Sequence, residues 1–294
     1  MGNRTITALL VLLAMALATL AGCRREPPAD ATPVQAATPG EAVRRLTAHL
    51  QASDLEAFAR DAVTPEVHGR LQVAWSEGRT RWPLDQLPFA QHIPRGMAAL
   101  SAPDAPQSLQ RGFERQLAGA SLQAAAEFLT LFTVQYILQQ GEFSVSEREH
   151  YPQLVQAFGA WAGGAPIGDR DRARAAIAAM TAAAREAGLD SDEAFAQAGM
   201  TESLRRMSQV LATGKRVLAS YGFDLDADLA AMDVQLQSQT GDVARVRMQY
   251  ALAGTPIDTI VNLERRDGVW YVSDFLRHAE DAVGVKPGSE SSFP

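Results

Sequence analysis

The apolar residues of this chain change period once, and that change divides the fold. Up to Gly222 they recur every three or four residues, the spacing of one helix face. From Met232 they alternate: Met232, Val234 and Leu236 are separated by polar residues, and Ala244, Val246, Met248, Tyr250 and Leu252 follow in the same way. Alternation marks half-buried strands. Thr240-Gly241-Asp242 and Gly254-Thr255-Pro256 turn the chain, and Asp267-Gly268 is a two-residue hairpin signal. The hairpin sets Leu263 opposite Val272 and Arg265 opposite Trp270, with the fourth strand ending near Phe275. Four strands in meander order predict an antiparallel sheet with one buried face. The expected fold class is α+β, a mainly helical body with a C-terminal four-stranded antiparallel meander sheet.

The helical part carries its own punctuation. Thr38-Pro39-Gly40-Glu41 reads as a capping box with proline at the first helical position. Val43, Leu46 and Leu50 then share a face. Ser53-Asp54-Leu55-Glu56 starts a second short helix, and Thr64-Pro65 a third with Val67, Leu71 and Trp75 in a stripe that Gly78 ends. Residues 80–106 hold five prolines and predict loops with short helical pieces, pinned by Trp82 and Phe89. Residues 108–140 read as two helices joined near Gly119; the second, with Phe128, Leu131, Phe132, Tyr136, Ile137 and Leu138, is apolar on most sides and is expected at the centre of a bundle. Pro152 to Trp161, an alanine-rich stretch between Asp169 and Gly188, a short piece framed by Asp190 and Glu193, and Thr201 to Tyr221 complete the helices. No internal repeat at solenoid periods occurs.

The N-terminus sets the expected location. Arg4 precedes an uninterrupted apolar run, Ala8 to Leu17, and small residues follow it. That is the layout of a secretory signal, and the run is about half the ~20 residues a spanning helix needs. Leu20-Ala21-Gly22-Cys23 comes next, and Cys23 is the only cysteine among 294 residues. These residues resemble the lipobox of bacterial lipoproteins. The resemblance implies a diacylglycerol thioether on Cys23, cleavage after Gly22 and acylation of the new amine. Arg24 rather than Asp follows the cysteine, which by the same resemblance favours the outer membrane, facing the periplasm. Removing the leader takes Arg4 and no acid, leaving 26 basic against 34 acidic residues, a net of −8. An acidic chain lacks the footprint of a nucleic-acid binder. Residues 24–38 are rich in Pro and Ala without aromatics. They are too polar to offset their ordering entropy, and as polyproline II they would reach ~45 Å.

A second resemblance is confined to patterns. DVARVRMQYALAG and VNLERRDGVWYVSDF look like the closing strands of NTF2-like domains, and EAVRRLTAHLQASDLEAF is similar to their opening helices. It implies an NTF2-like core carrying a large helical insertion between Thr64 and Gly222. The expected organisation is a signal peptide at 1–22, a lipidated tether at 23–38, a helical region at 39–222, a sheet packing on the first helices at 223–284, and a disordered tail at 285–294.

Residue spacing assigns no reaction. The five histidines share no i, i+4 pair and no HExxH occurs; His49 reads as a boundary residue. Asp224, Asp226 and Asp228 lack the Gly and Glu of a calcium loop, having Leu229 and Gln235 in those places, and read as turn and capping aspartates. Thr213-Gly214-Lys215-Arg216 sits within a helix and lacks the rest of a phosphate loop. Glu147, Arg148, Glu149 and His150 put two carboxylates near a histidine, which suits acid–base work, but read first as a solvated first helical turn. Asp258, Glu264 and Asp274 read as solvent-facing sheet positions, with a pocket carboxylate as the alternative, and Trp270 and Tyr271 as core and edge aromatics rather than ligand stackers. Arg245, Arg247 and Gln249 share the wet side of a strand and form a candidate patch for an anionic partner. No cofactor or metal is expected. The expected role is that of a non-enzymatic envelope lipoprotein that touches the membrane through the lipid on Cys23 and binds or assembles with a periplasmic protein. The alternative is a small-ligand or enzymatic pocket of NTF2-like type.

Overall fold

The computed structural model describes residues 38–87, 92–139 and 143–284. The expected leader, Cys23 and the expected tether up to residue 37, Phe89 and the expected tail at 285–294 lie outside the described residues. Thr38 caps the first helix: its hydroxyl accepts from Glu41 N at 3.3 Å, and the Glu41 carboxylate accepts from Thr38 N at 3.0 Å. This helix, α1 (Pro39–Gln51), buries Ala42, Val43 and Leu46. Asp54 and Thr64 cap α2 (Leu55–Asp61) and α3 (Pro65–Ser76) by accepting from the backbone three residues on. The proline-rich stretch holds a 3-10 turn at Leu84–Gln86, α4 (Ile93–Ser101) and the start of α5 (Ala105–Gln116), with Trp82 buried. Then come α6 (Gln123–Gln139), α7 (Val145–Gly164), α8 (Arg170–Ala187), α9 (Asp192–Ser220) and α10 (Leu225–Ala230). Within α9 the helix breaks at Gly199, whose φ of 71° suits glycine.

The sheet follows as β1 (Asp233–Thr240), β2 (Val243–Leu252), β3 (Thr255–Arg266) and β4 (Val269–Val272), antiparallel in the order β1-β2-β3-β4. The fold is α+β as read from the period change. Leu263 pairs with Val272 and Arg265 with Trp270, the hairpin register expected. The fourth strand, however, stops at Val272 and gives way to α11 (Ser273–Ala282). Phe275 and Asp274 are therefore helical, not sheet residues. Leu276 and Ala279, three apart, are the buried pair of that helix, and the Phe275 ring meets Phe58 edge-on at 5.4 Å.

One apolar core joins α1–α4, α8, α9, the sheet and α11. Val246, Trp270 and Val272 lie inside it, with Met248 packed against it. A second cluster of Ala157, Leu218, Phe223, Leu252 and Ile257 fastens α7 and α9 to the far end of the sheet. Because β4 pairs only with Leu263 to Arg266, the first half of β3 would present a bare edge. Helix α7 covers it, and the Gln153 amide stands in for a neighbouring strand: it donates to Asp258 O at 2.8 Å and accepts from Asp258 N at 3.0 Å.

Candidate functional site

Helix α6 is the least expected element. A helix apolar on most sides belongs inside, yet its large side chains face out. Phe128, Leu131 and Phe132 are 68%, 63% and 63% exposed, and Tyr136, Leu138 and Leu129 are 49%, 47% and 39% exposed. Its one extensive contact is with α7. The reason lies in the seam between them. A Cβ placed on Gly159 of α7 would fall 1.8 Å from Thr130 Oγ1, and one on Gly163 would lie 3.6 Å from Gln123 Cα. The two backbones approach so closely that only a narrow stripe of α6, with Val134 and Ile137 buried, fits underneath. Arg148 then closes the end of α6, donating through Nη1 to the Ile137 and Leu138 carbonyls at 3.0 Å each. The expectation of a bundle centre is thus corrected: α6 is held along a thin seam and its bulk is presented outward.

Substituting Gly159→Val should force this seam apart and cost about 1–3 kcal/mol, the usual range for overpacking. Urea unfolding would measure the loss, and hydrogen exchange should show faster exchange confined to residues 123–139. Unchanged protection there would mean the close approach is not what holds α6.

The charged run at the start of α7 is also rearranged. Ser144 and Glu147 form a reciprocal capping box, so the helix begins at Val145 rather than Pro152, which sits within it. Glu147 is not solvated: its side chain is 3% exposed. Its carboxylate accepts from Ser144 N at 2.7 Å, Arg277 Nη2 at 2.7 Å and the Tyr151 hydroxyl at 3.1 Å, and lies 2.8 Å from His278 Nε2. Ser146 donates to Asp274 Oδ2 at 2.5 Å beside it. Burial alone would raise the Glu147 carboxyl, but the hydrogen bonds from His278 and the Ser144 backbone and the charges of His278 and Arg277 outweigh it and hold it at about 2. A carboxylate so weakly basic, with both oxygens engaged, is poorly suited to take a proton near neutral pH. This network ties α7 to α11.

The other three members of the run point elsewhere. Arg148 closes α6, Glu149 is exposed, and His150 Nε2 meets the Tyr250 hydroxyl at 2.8 Å. Burial pulls the His150 imidazole down to about 4 and pushes the Tyr250 phenol up. Asp224 caps α10 by accepting from Ala227 N, Asp226 pairs with Lys215 at 2.7 Å, and Asp228 accepts from Ala253 N at 2.8 Å. Asp224 thus has the capping duty read from the sequence, whereas Asp226 pairs with a buried amine and Asp228 bonds across to the β2–β3 turn. Among the described residues no three His, Cys, Asp or Glu side chains converge as a metal set. Lys215, only 1% exposed, donates to the Leu50 and Gln51 carbonyls at 2.9 and 3.1 Å, closing the last turn of α1. Burial brings its amine down to about 8, with Asp226 opposing that fall. His49 bonds to Asp61 at 2.8 Å and is half-buried, a boundary residue as expected.

On the outer face of β2, Arg247 forms a two-pronged ion pair with Asp258, and Gln249 donates to the same carboxylate at 3.1 Å. Arg245 is exposed and, among the described residues, makes no ion pair. The candidate patch therefore comprises one open guanidinium beside a self-neutralised pair. Among the described residues no helix is long and apolar enough to cross a membrane. No family model matches the chain, and neither a curated protein nor a solved structure matches it.

Proposed function

We propose that the chain is a lipid-anchored protein of the cell envelope, moored through Cys23 at the outer membrane and acting as a non-enzymatic binding or assembly factor in the periplasm. The observation that carries the binding role is α6, a helix with six large apolar side chains turned to solvent. Patches of that kind mark interaction sites. The space under the sheet, where an NTF2-like pocket would lie, is instead filled by Val246, Trp270 and Val272 packed against the first helices. That packing supports a binding role over the pocket alternative. The anchor rests on the lipobox resemblance at Leu20-Ala21-Gly22-Cys23. Two or three acyl chains would make the mooring stable, whereas one would bind only marginally and reversibly.

The test is mass spectrometry of the N-terminal peptide from the envelope fraction, together with fractionation of the Cys23→Ser chain. The expected peptide starts at Cys23 and carries thioether-linked and amide-linked acyl chains, and Cys23→Ser should lose that modification and its processing. A free Cys23 thiol or an intact leader on the mature protein would sink the anchor.

A further inference from the structure

We propose that the outward face of α6 is a self-association surface, on which a second copy of this chain seats its own α6. The inference gives the binding role above its first partner, but stands on α6 and not on the anchor.

Area is the first argument. Phe128, Leu129, Leu131, Phe132, Tyr136 and Leu138 are between 39% and 68% exposed. At roughly 200 Å² per large side chain they offer ~600 Å² per copy, close to the ~800 Å² per partner of a stable interface. Helix α7 already buries its second face against Leu218, Leu252 and Ile257, so α6 is the member of the pair left with an open apolar face.

Charge is the second argument, and it selects the occupant. Between Arg115 and Arg148 the chain has no basic residue, and from Phe128 to Gln139 it has no charged residue of either sign. A bilayer-surface helix flanks its apolar face with Lys and Arg to meet anionic headgroups; α6 carries none of its own, and Arg148 at its end is turned onto the Ile137 and Leu138 carbonyls. A surface steering a charged foreign partner would carry complementary charge, also lacking. An uncharged, apolar patch is complementary to itself, and homodimer interfaces are the more apolar class. A two-fold axis across α6 would place the same residues on both sides. If the helices run antiparallel, Glu127 of one copy falls near Gln139 of the other, so like charges stay apart. Gln139 donates to Gln135 at 2.7 Å within one copy, which leaves the second amide hydrogen of Gln139 for that Glu127.

The experiment uses the full chain in the envelope. Leu131→Cys and Phe132→Cys, introduced singly, should give an oxidative crosslink at twice the monomer mass, whereas Glu114→Cys on α5 should not. In parallel, the purified full chain should sediment as a dimer. Phe128→Glu with Phe132→Glu should weaken that dimer by at least ~100-fold, because charges would be buried unpaired at its centre. Both phenylalanines are outside the core, so far-UV circular dichroism should not change; should this variant misfold, the cysteine pair decides alone. A wild-type monomer at 100-fold above the protein's envelope concentration, a dimer indifferent to the charges, a crosslink of another mass, or α6-dependent flotation with phosphatidylethanolamine vesicles would each overturn the proposal. A monomer that still carries acyl chains on Cys23 would remove the dimer and leave the anchor intact.

Discussion

Replacing Trp75 with alanine should destabilise the protein by about 3–5 kcal/mol, the cost of emptying a large buried aromatic site. Trp75 is fully buried at the meeting of α3 and α9. Its indole donates to Phe195 O at 3.1 Å, its ring lies 6.4 Å from that of Phe195, and the Arg81 guanidinium sits 5.3 Å from its centroid. Alanine removes the volume, the N–H and the surface beneath Arg81 together. Neighbouring helices are held by other contacts in the same cluster and cannot collapse far into the gap. The melting temperature should fall by roughly 10 °C for a chain of this size. Trp75→Phe should recover most of the packing while still losing the hydrogen bond to Phe195 O, which Ser203 continues to satisfy at 3.2 Å. A loss below about 1 kcal/mol for alanine, against the expected range, would show that α3 does not depend on this residue.

The second large effect is electrostatic and pH-dependent. Glu147 has its folded-state carboxyl lowered to about 2 from an ordinary 4.5. A group depressed in the folded state contributes fully above its unfolded value and loses that contribution as pH falls through its folded value. Stability linked to Glu147 should therefore be complete above pH 4.5 and vanish by about pH 2. The shift corresponds to about 3 kcal/mol. Glu147→Gln should remove most of this at neutral pH, leaving Arg277 and His278 to partial rehydration at their exposed edges. Its unfolding curve should also be flatter than wild type between pH 4.5 and 2. Urea titrations of both proteins across that window measure the difference. Parallel curves would mean the α7–α11 network does not set acid stability.

Much of this architecture could be read from residues alone because its signals are local. Thr38, Thr64 and Asp169 cap the helices assigned to them, and Gly188 stops α8 in a left-handed conformation. Asp267-Gly268 fixed the register of β3 and β4. The misreadings come from features that are not local. Pro152 argued for a helix start because proline removes a backbone donor, yet the Ser144 box had already nucleated α7 eight residues earlier. The same box held the clue to Glu147, whose burial depends on α11 arriving from 130 residues away. Helix α11 itself follows β4 without a loop, so Trp270, Val272 and Phe275 looked like one irregular strand. For α6 the composition was legible and its placement was not. Its inward side is chosen by Gly159 and Gly163, small residues that leave no mark in an apolar pattern.

The hold on α1 bears on how the body takes a pull. The chain enters at Thr38, and a methyl added at Gly40 would already touch Val234 of β1 at 3.9 Å. Arg44 donates to the Val234 carbonyl at 2.7 Å, and Lys215 grips the far end of the same helix. Tension arriving from the N-terminal side is thus shared between an edge strand and the longest helix before α1 can peel away. The first helix acts as a strain-relief clamp, so that a pull on the residues before it need not loosen the interior.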